Sequence, residues 1–424
     1  MQGMPVGIRH DDLRKRNRAM VITAVRRAFQ PSRTEIARAT GLSHSTISAI
    51  SSDLIEEGIL AETKGGEAVS LKRGRPQVAL ALKPEAAAIV TVVLALNFLS
   101  VAVVDYAGQT VTSEQRKLST LTLPEEELMG ECLAMVRRRL GEAGGRRIMR
   151  MVLAVQGTTD AGRRTMLWSP ITPHSGIAFA DRLEGAFNIP VTVENDCNMI
   201  AEALKWRDPE RYRDDFIAIL LSHGIGMGLV LKGELFTGTQ SSGGEFGHMI
   251  HRPDGALCRC GRRGCVEAYA GNYAIWRAAR QSSENDEPMA DISDADMKVL
   301  AATARAKDGP EREAFRKAGE AIGFGLGSLF ALIDPAPVAV VGIGAAAFDL
   351  IEPHLREAIA RTAGGQHSGA ISFAVEPDEV PLIREGCAMS ALTFIDQEVF
   401  AAGAPAEASA KKTVPVEAYS SRMA

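Results

Sequence analysis

The sequence predicts a small α+β head of the winged helix-turn-helix type, residues 1–83, on a larger two-lobed α/β body, residues 84–400. Three observations lead there. The charge is divided. Residues 1–83 hold ten Arg and four Lys against three Asp and five Glu, a net of +6, which leaves −10 for the rest of a chain whose total is −4. A basic head on an acidic body suggests two jobs in one polypeptide. In the head, helical periodicity is interrupted by a glycine where two helices must turn. Beyond Ala87, β-rich runs alternate with helical ones, and glycine turns at Gly224 and Gly342 close two strands far apart in the chain, as two lobes around a cleft would require.

The head begins with apolar residues at helical spacing in Arg18–Phe29, ended by Pro31. A second helical run comes next. Ala37 is small where helices cross closely, and Gly41, four residues on, makes a positive φ cheap. Ser43 is the expected N-cap of the next helix, and Ile47 and Ile50 face back toward Ile36 and Leu42. That helix presents Ser43, His44, Ser45, Thr46 and Ser48, whose short polar side chains let a helix sit deep in a major groove. An ordinary helical hairpin is the alternative. The residues beyond this helix favour the winged form. A strand starts near Ile59, Val78–Leu82 reads as its return, and Lys72-Arg73-Gly74-Arg75-Pro76 forms a basic tip between them. Arg73 and Arg75 flank a glycine, so the chain can approach a narrow minor groove. The expected partner is double-stranded operator DNA, bound by a homodimer or homotetramer, since one winged helix covers little DNA.

In the body, Ile89–Leu96, Ser100–Val104, Ile148–Val155, Val191–Glu194, Phe216–Leu221, Gly226–Leu231 and Val338–Val341 read as strands. Pro124–Leu140 and Glu311–Ile333 read as helices. Residues 401–424 have the Ala, Pro, Ser and charge content of a disordered tail. No run of 18 apolar residues and no N-terminal apolar signal occur, so the expected place is the cytoplasm, without a membrane. The composition, 46% hydrophobic and 24% charged, excludes wholesale disorder and a disulfide scaffold.

Six cysteines are few for 424 residues, yet three crowd together as Cys258, Cys260 and Cys265, the first of them ten residues after His248. Three thiolates and one imidazole make a closed tetrahedral set for Zn²⁺. With every position filled by protein there is no place for a reactive water, so the expected zinc is structural. His251 competes with His248 for the fourth position.

Gly244-Glu245-Phe246-Gly247-His248, followed by the CRCGRRGCVE run of Cys258–Glu267, resembles the signature of the ROK family of repressors, open reading frames and sugar kinases. The resemblance spans about residues 86–400 and takes in Glu194-Asn195-Asp196 and the turn at Gly224. It implies the actin-like sugar-kinase fold and, with a winged helix in front, a sugar-responsive transcriptional regulator, usually a repressor of sugar-use genes. In the kinases of the family, residues matching Asn195, Asp196, Glu245, His248 and Glu267 bind sugar hydroxyls, with the Asp as base. The nucleotide side departs from that pattern. Where the kinases have a DxGGTK-like turn, this chain has Leu94–Ser100, without glycine, Asp or Lys. Where they have GTGIG, it has Ser222-His223-Gly224-Ile225-Gly226. A regulator without kinase activity is therefore expected. A kinase with an added DNA-binding head and a regulator answering to a protein partner are the competing readings.

Overall fold

The structure, a computed structural model, describes residues 10–64, 78–241, 243–288, 292–365 and 371–403. The first helix, α1 (His10–Arg27), begins well before Arg18. Asp11 and Asp12 in its first turn and Arg26 and Arg27 in its last complement the helix dipole, which apolar periodicity does not register. Next come α2 (Arg33–Thr40) and α3 (His44–Glu56). Ser32 and Glu35 close a reciprocal capping box on α2, and Gly41 ends it at φ +72°. Ser43 caps α3, its hydroxyl accepting from the Thr46 N–H, as its position predicted. Ile36, Ile47, Ile50 and Leu54 bury against Val21, Ile22 and Val25 of α1. The antiparallel pair β1 (Leu60–Lys64) and β2 (Val78–Leu82) completes the head. The basic tip with Arg73 and Arg75 lies outside the described residues.

The body contains two five-stranded sheets built to one plan. The first comprises β3 (Ala88–Ala95), β4 (Phe98–Asp105), β5 (Thr110–Lys117), β6 (Ile148–Val155) and β9 (Val191–Asn195). Between β6 and β9 lie the short hairpin β7 (Thr158–Thr159) and β8 (Met166–Trp168) and the helix α5 (Phe179–Phe187); α4 (Glu125–Glu142) precedes β6. The second sheet comprises β10 (Phe216–Leu221), β11 (Ile225–Leu231), β12 (Glu234–Leu235), β13 (Val338–Val341) and β14 (Phe373–Glu376). Spatial orders are β5-β4-β3-β6-β9 and β12-β11-β10-β13-β14. In each, a three-stranded antiparallel meander continues into two parallel strands. The central strands β10 and β13 are apolar throughout, and β3 is apolar but for the buried Thr91, because both faces are covered. Covering the second sheet are α7 (Glu267–Ala270), α8 (Asn272–Ala279), α9 (Asp294–Ala306), α10 (Pro310–Ile333) and α11 (Phe348–Ala360).

Between the lobes run α6 (Asp196–Arg207) and α12 (Glu379–Phe394), and α12 continues into one π-helical turn, Ile395–Phe400. These two helices pack closely, because Gly386 of α12 lies directly against the Met199 carbonyl and leaves no room for a side chain. Gly228 likewise lets β11 rest on the first turn of α6 at Cys197. The core of the head is continuous with this layer: Val21, Ile36 and Leu54 belong to the same buried cluster as Met199, Leu382 and Phe400. Phe400 and Ala401 are buried, so packing runs just past residue 400, and the tail from residue 404 lies outside the described residues. Among the described residues no helix is long and apolar enough to cross a membrane.

Candidate functional site

The cleft lies where the carboxyl ends of β6 and β9 face the β10–β11 turn, the place at which α/β sheets bind ligands. The five residues picked from the sequence, Asn195, Asp196, Glu245, His248 and Glu267, line one cavity there, of about 70 Å³. Asn195 is the N-cap of α6. Its Oδ1 accepts from the N–H groups of Cys197 (2.9 Å) and Asn198 (3.1 Å), and its Nδ2 donates to the Gly157 carbonyl at 2.9 Å. Its amide thus ties the ends of two neighbouring strands together. Asp196 is 5% exposed. Burial pushes its carboxyl up to about 7, although hydrogen bonds from Cys197 oppose this, and the nearby Glu379 carboxylate adds to the rise.

The second lobe supplies the opposite wall. Glu245 accepts from the Thr158 hydroxyl at 3.3 Å, across the cleft. The His248 Nε2 is 3.9 Å from the Glu245 carboxylate. Glu267 is buried, and its Oε2 accepts from the Ile225 N–H at 3.0 Å. It therefore fixes the Gly224 turn as well as lining the cavity. Arg259 donates to the His223 carbonyl at 3.0 Å and stacks over Tyr273, 4.7 Å from the ring centroid.

The two stretches that the resemblance aligns with phosphate turns, Leu94–Ser100 and Ser222–Gly226, make hydrogen bonds within the protein. Leu96-Asn97 is a two-residue hairpin turn between β3 and β4, with Asn97 at φ +54°. The Asn97 N–H donates to Thr120 Oγ1 at 3.0 Å, and its carbonyl accepts from the Leu118 N–H at 3.0 Å. In the second turn the Ser222 N–H donates to the Gly224 carbonyl, and the Ser222 hydroxyl donates to Glu379 Oε1 at 3.0 Å. Burial raises the Glu379 carboxyl above its ordinary range. A carboxylate beside such a turn opposes a phosphate by like charge.

Beside the cleft, one ligand atom each from His248, Cys258, Cys260 and Cys265 lies within 4.8 Å of the others. The Cys260 and Cys265 sulfurs are 3.8 Å apart, and Cys258 Sγ is 3.8 Å from His248 Nδ1. A tetrahedral ion with Zn–S bonds of about 2.3 Å sets its sulfurs roughly 3.8 Å apart. The donor set and its spacing therefore fit a zinc ion. Nδ1 faces the thiols while Nε2 faces Glu245. His251 lies outside the group, its ring against Tyr269 and Phe324. Gly264 packs against the Arg252 carbonyl at φ +79°, a place only glycine fits.

On the head, Ser43, His44, Ser45 and Ser48 are exposed and Thr46 half-buried, on the face of α3 away from its buried Ile47 and Ile50. The Ser43 hydroxyl is 2.9 Å from that of Ser45 and 2.8 Å from that of Thr46. Arg14 pairs with Asp53, and Arg33 with Glu62, on the flanks.

Sequence reasoning missed Thr158, Trp168, Arg259 and Glu379. Thr158, Trp168 and Arg259 line the cleft from short strands and a loop, and Glu379 bonds to Ser222 beside it from a helix start, none of which periodicity marks. Only Arg259 carried a signal, by standing inside the cysteine cluster.

The fold and the site together define a sugar-kinase-type α/β protein fused to a helix-turn-helix head. The family model described as ROK family matches residues 96–379, and the chain belongs to the ROK family. The xylose repressor of Caldicellulosiruptor bescii is 24% identical over 358 residues, covering 82% of this chain and 88% of that one. Among solved structures, a ROK family transcriptional regulator described as a homologue of the E. coli MLC protein superposes with a TM-score of 0.75 at 20% identity, covering 92% of this chain and 99% of that one. A ROK family glucokinase from Streptomyces griseus, in complex with glucose and AMPPNP, gives a TM-score of 0.56 at 25% identity and covers 71% of this chain and 98% of that one. The regulator's fold thus extends over most of the chain, head included, and the kinase's over the body.

Proposed function

We propose that this protein is a sugar-responsive repressor that binds operator DNA through residues 1–83 and a sugar or sugar derivative in the cleft of residues 84–400. The observation that carries the reading is a continuous helical rod between the two. At one end of α12, Glu379 bonds to Ser222 beside the cleft. At the other end, the π turn holds α1 through buried charges. The Arg26 guanidinium makes a two-pronged pair with Asp396, at 2.7 and 2.9 Å, and the Tyr106 hydroxyl donates to the same carboxylate at 2.6 Å. Arg18 donates to the Phe400 carbonyl at 2.9 Å. Sugar that changes the lobe angle shifts α6 against α12 and so the seat of α1. The ligand moves this equilibrium only by its differential affinity for the two states.

Ser43, His44, Ser45, Thr46 and Ser48 are the base-reading face in this proposal, with Arg73 and Arg75 the minor-groove contacts. Asn195, Asp196, Glu245, His248 and Glu267 bind sugar hydroxyls. A structural zinc on His248, Cys258, Cys260 and Cys265 holds the loop that carries Glu245 and Glu267. The protein acts in the cytoplasm as a homodimer or homotetramer and is not a kinase. Asp196 could accept a hydroxyl proton, but phosphoryl transfer depends on holding the donor in line, and the Leu94–Ser100 and Ser222–Gly226 stretches lack the residues of the kinase phosphate turns.

The test measures operator-fragment binding by the full-length protein across a panel of pentoses and hexoses, with and without Glu245→Ala. Release of DNA by one sugar, lost in the variant, supports the reading. ADP formation from Mg-ATP and that sugar at the ordinary enzyme range of about 1–10³ per second, abolished by Asp196→Ala, would establish the kinase instead.

A further inference from the structure

The cavity holding the five polar residues is small, about 70 Å³, but the cleft does not end there. A second space of about 440 Å³ opens beyond it. Thr158, Trp168, Glu245 and His248 line both, so the two spaces adjoin across these side chains. Cys260 and Arg262 complete the outer wall. Pockets that hold drug-sized ligands typically measure about 300–1,000 Å³. The outer space is of that size, and the inner one alone is not.

The outer wall also has the chemistry of a saccharide subsite. Trp168 sits in β8, paired with Thr158 of β7, and its indole meets the His248 ring edge-on at 6.1 Å. The Gly157 α-carbon lies hard against the Trp168 carbonyl, which fixes this strand at the cleft mouth. An indole presents a flat apolar face with a polar N–H at its edge. A pyranose ring has matching apolar C–H faces and an equatorial rim of hydroxyls. The Arg262 guanidinium is exposed, with no hydrogen-bond or ion-pair partner among the described residues. Its neighbours Arg259 and Arg263 are committed to the His223 carbonyl and to Asn285. Arg262 therefore has its donors free for hydroxyl oxygens. A guanidinium could equally serve an anion, but the Glu245 carboxylate borders the same space and makes the outer wall close to neutral.

We infer that the effector is an uncharged saccharide of two rings, or a glycoside, with one ring in the inner cavity and the second on Trp168 within reach of Arg262. This rests on the sugar-responsive reading and narrows it from a monosaccharide to a linked one. The outer ring contributes contact area and hydroxyl pairing that a lone monosaccharide cannot reach.

Isothermal titration of the full-length protein with xylose, glucose, xylobiose, cellobiose, maltose and glucose 6-phosphate tests it. At least one disaccharide should bind tenfold or more tightly than its own monosaccharide. Trp168→Ala and Arg262→Ala should each reduce that ratio about tenfold, and Trp168→Phe, which keeps an aromatic face, should retain most of it. Equal affinity for a monosaccharide and its dimer would overturn the two-ring inference and leave the sugar reading standing. Tightest binding of glucose 6-phosphate, lost in Arg262→Ala, would replace the second ring by an anion. Silence across the whole panel would sink both this inference and the sugar reading.

Discussion

Removing Asp396 should damage the protein more than removing both members of its ion pair. Arg26 and Asp396 side chains are 4% and 2% exposed, and two charge-assisted bonds join them. Asp396→Ala leaves the guanidinium buried without its counter-charge and takes the acceptor from the Tyr106 hydroxyl. Breaking a buried pair in this way typically costs about 3–5 kcal/mol. At about 2–4 °C per kcal/mol for domains of 150–250 residues, thermal unfolding should fall on the order of 10 °C. The double variant Arg26→Met, Asp396→Leu, made in a Tyr106→Phe background so that no buried hydroxyl loses its acceptor, replaces the pair with apolar groups of similar length, and such exchanges are often neutral or stabilising. It should therefore unfold within a few degrees of the wild type. Because the pair seats α1 on the π turn, the double variant should still bind operator DNA yet lose most of its sugar response. Calorimetric scans and operator titrations with and without sugar make the measurement. An Asp396→Ala protein that unfolds at the wild-type temperature would refute the claim that this pair is dry and joins the head to the body.

Asp196 gives a pH signature. Its folded value is about 7 against an ordinary 3.8, so the native state keeps a proton that the unfolded state sheds. Its contribution is fully present below pH ~4, declines as pH rises to ~7 and is absent above. A rise of that size bounds the effect at roughly 4 kcal/mol. Asp196→Asn should flatten that part of the stability profile, and an unchanged profile would count against the buried carboxyl. For the metal, protein purified without added ions should carry about one zinc per chain. Cys260→Ser should lose it and loosen the loop of Glu245 and Glu267, measured by metal analysis and amide exchange. A metal-free, fully protected loop would remove zinc from the account. In the wing, Arg73→Ala with Arg75→Ala should lower the salt dependence of operator binding by about one to two counterions. An unchanged slope would exclude those two residues from the DNA interface.

Much of the fold was legible in the chain itself. Gly41, Ser43 and the spacing of Ile36, Ile47 and Ile50 specify two helices and their crossing, because a positive φ, a cap and a buried stripe are local requirements. The strands Ile148–Val155, Phe216–Leu221 and Val338–Val341 stand at their expected limits, since stretches covered on both faces must be apolar, as are all of the second and third and Met151–Val155 of the first. The cysteine spacing announced its cluster. Tertiary structure decided what depends on distant residues meeting. His248 rather than His251 joins the thiols because a short turn after Glu245 aims its Nδ1 at Cys258, while His251 is held between Tyr269 and Phe324. Glu379, unremarkable in sequence, reaches Ser222 only because α12 starts at the cleft. Arg26 and Asp396 lie at opposite ends of the chain, and no local pattern links them. Their pairing, and with it the contact between head and body, comes from the packing that brings the π turn of α12 against α1, where burial makes each charge require the other.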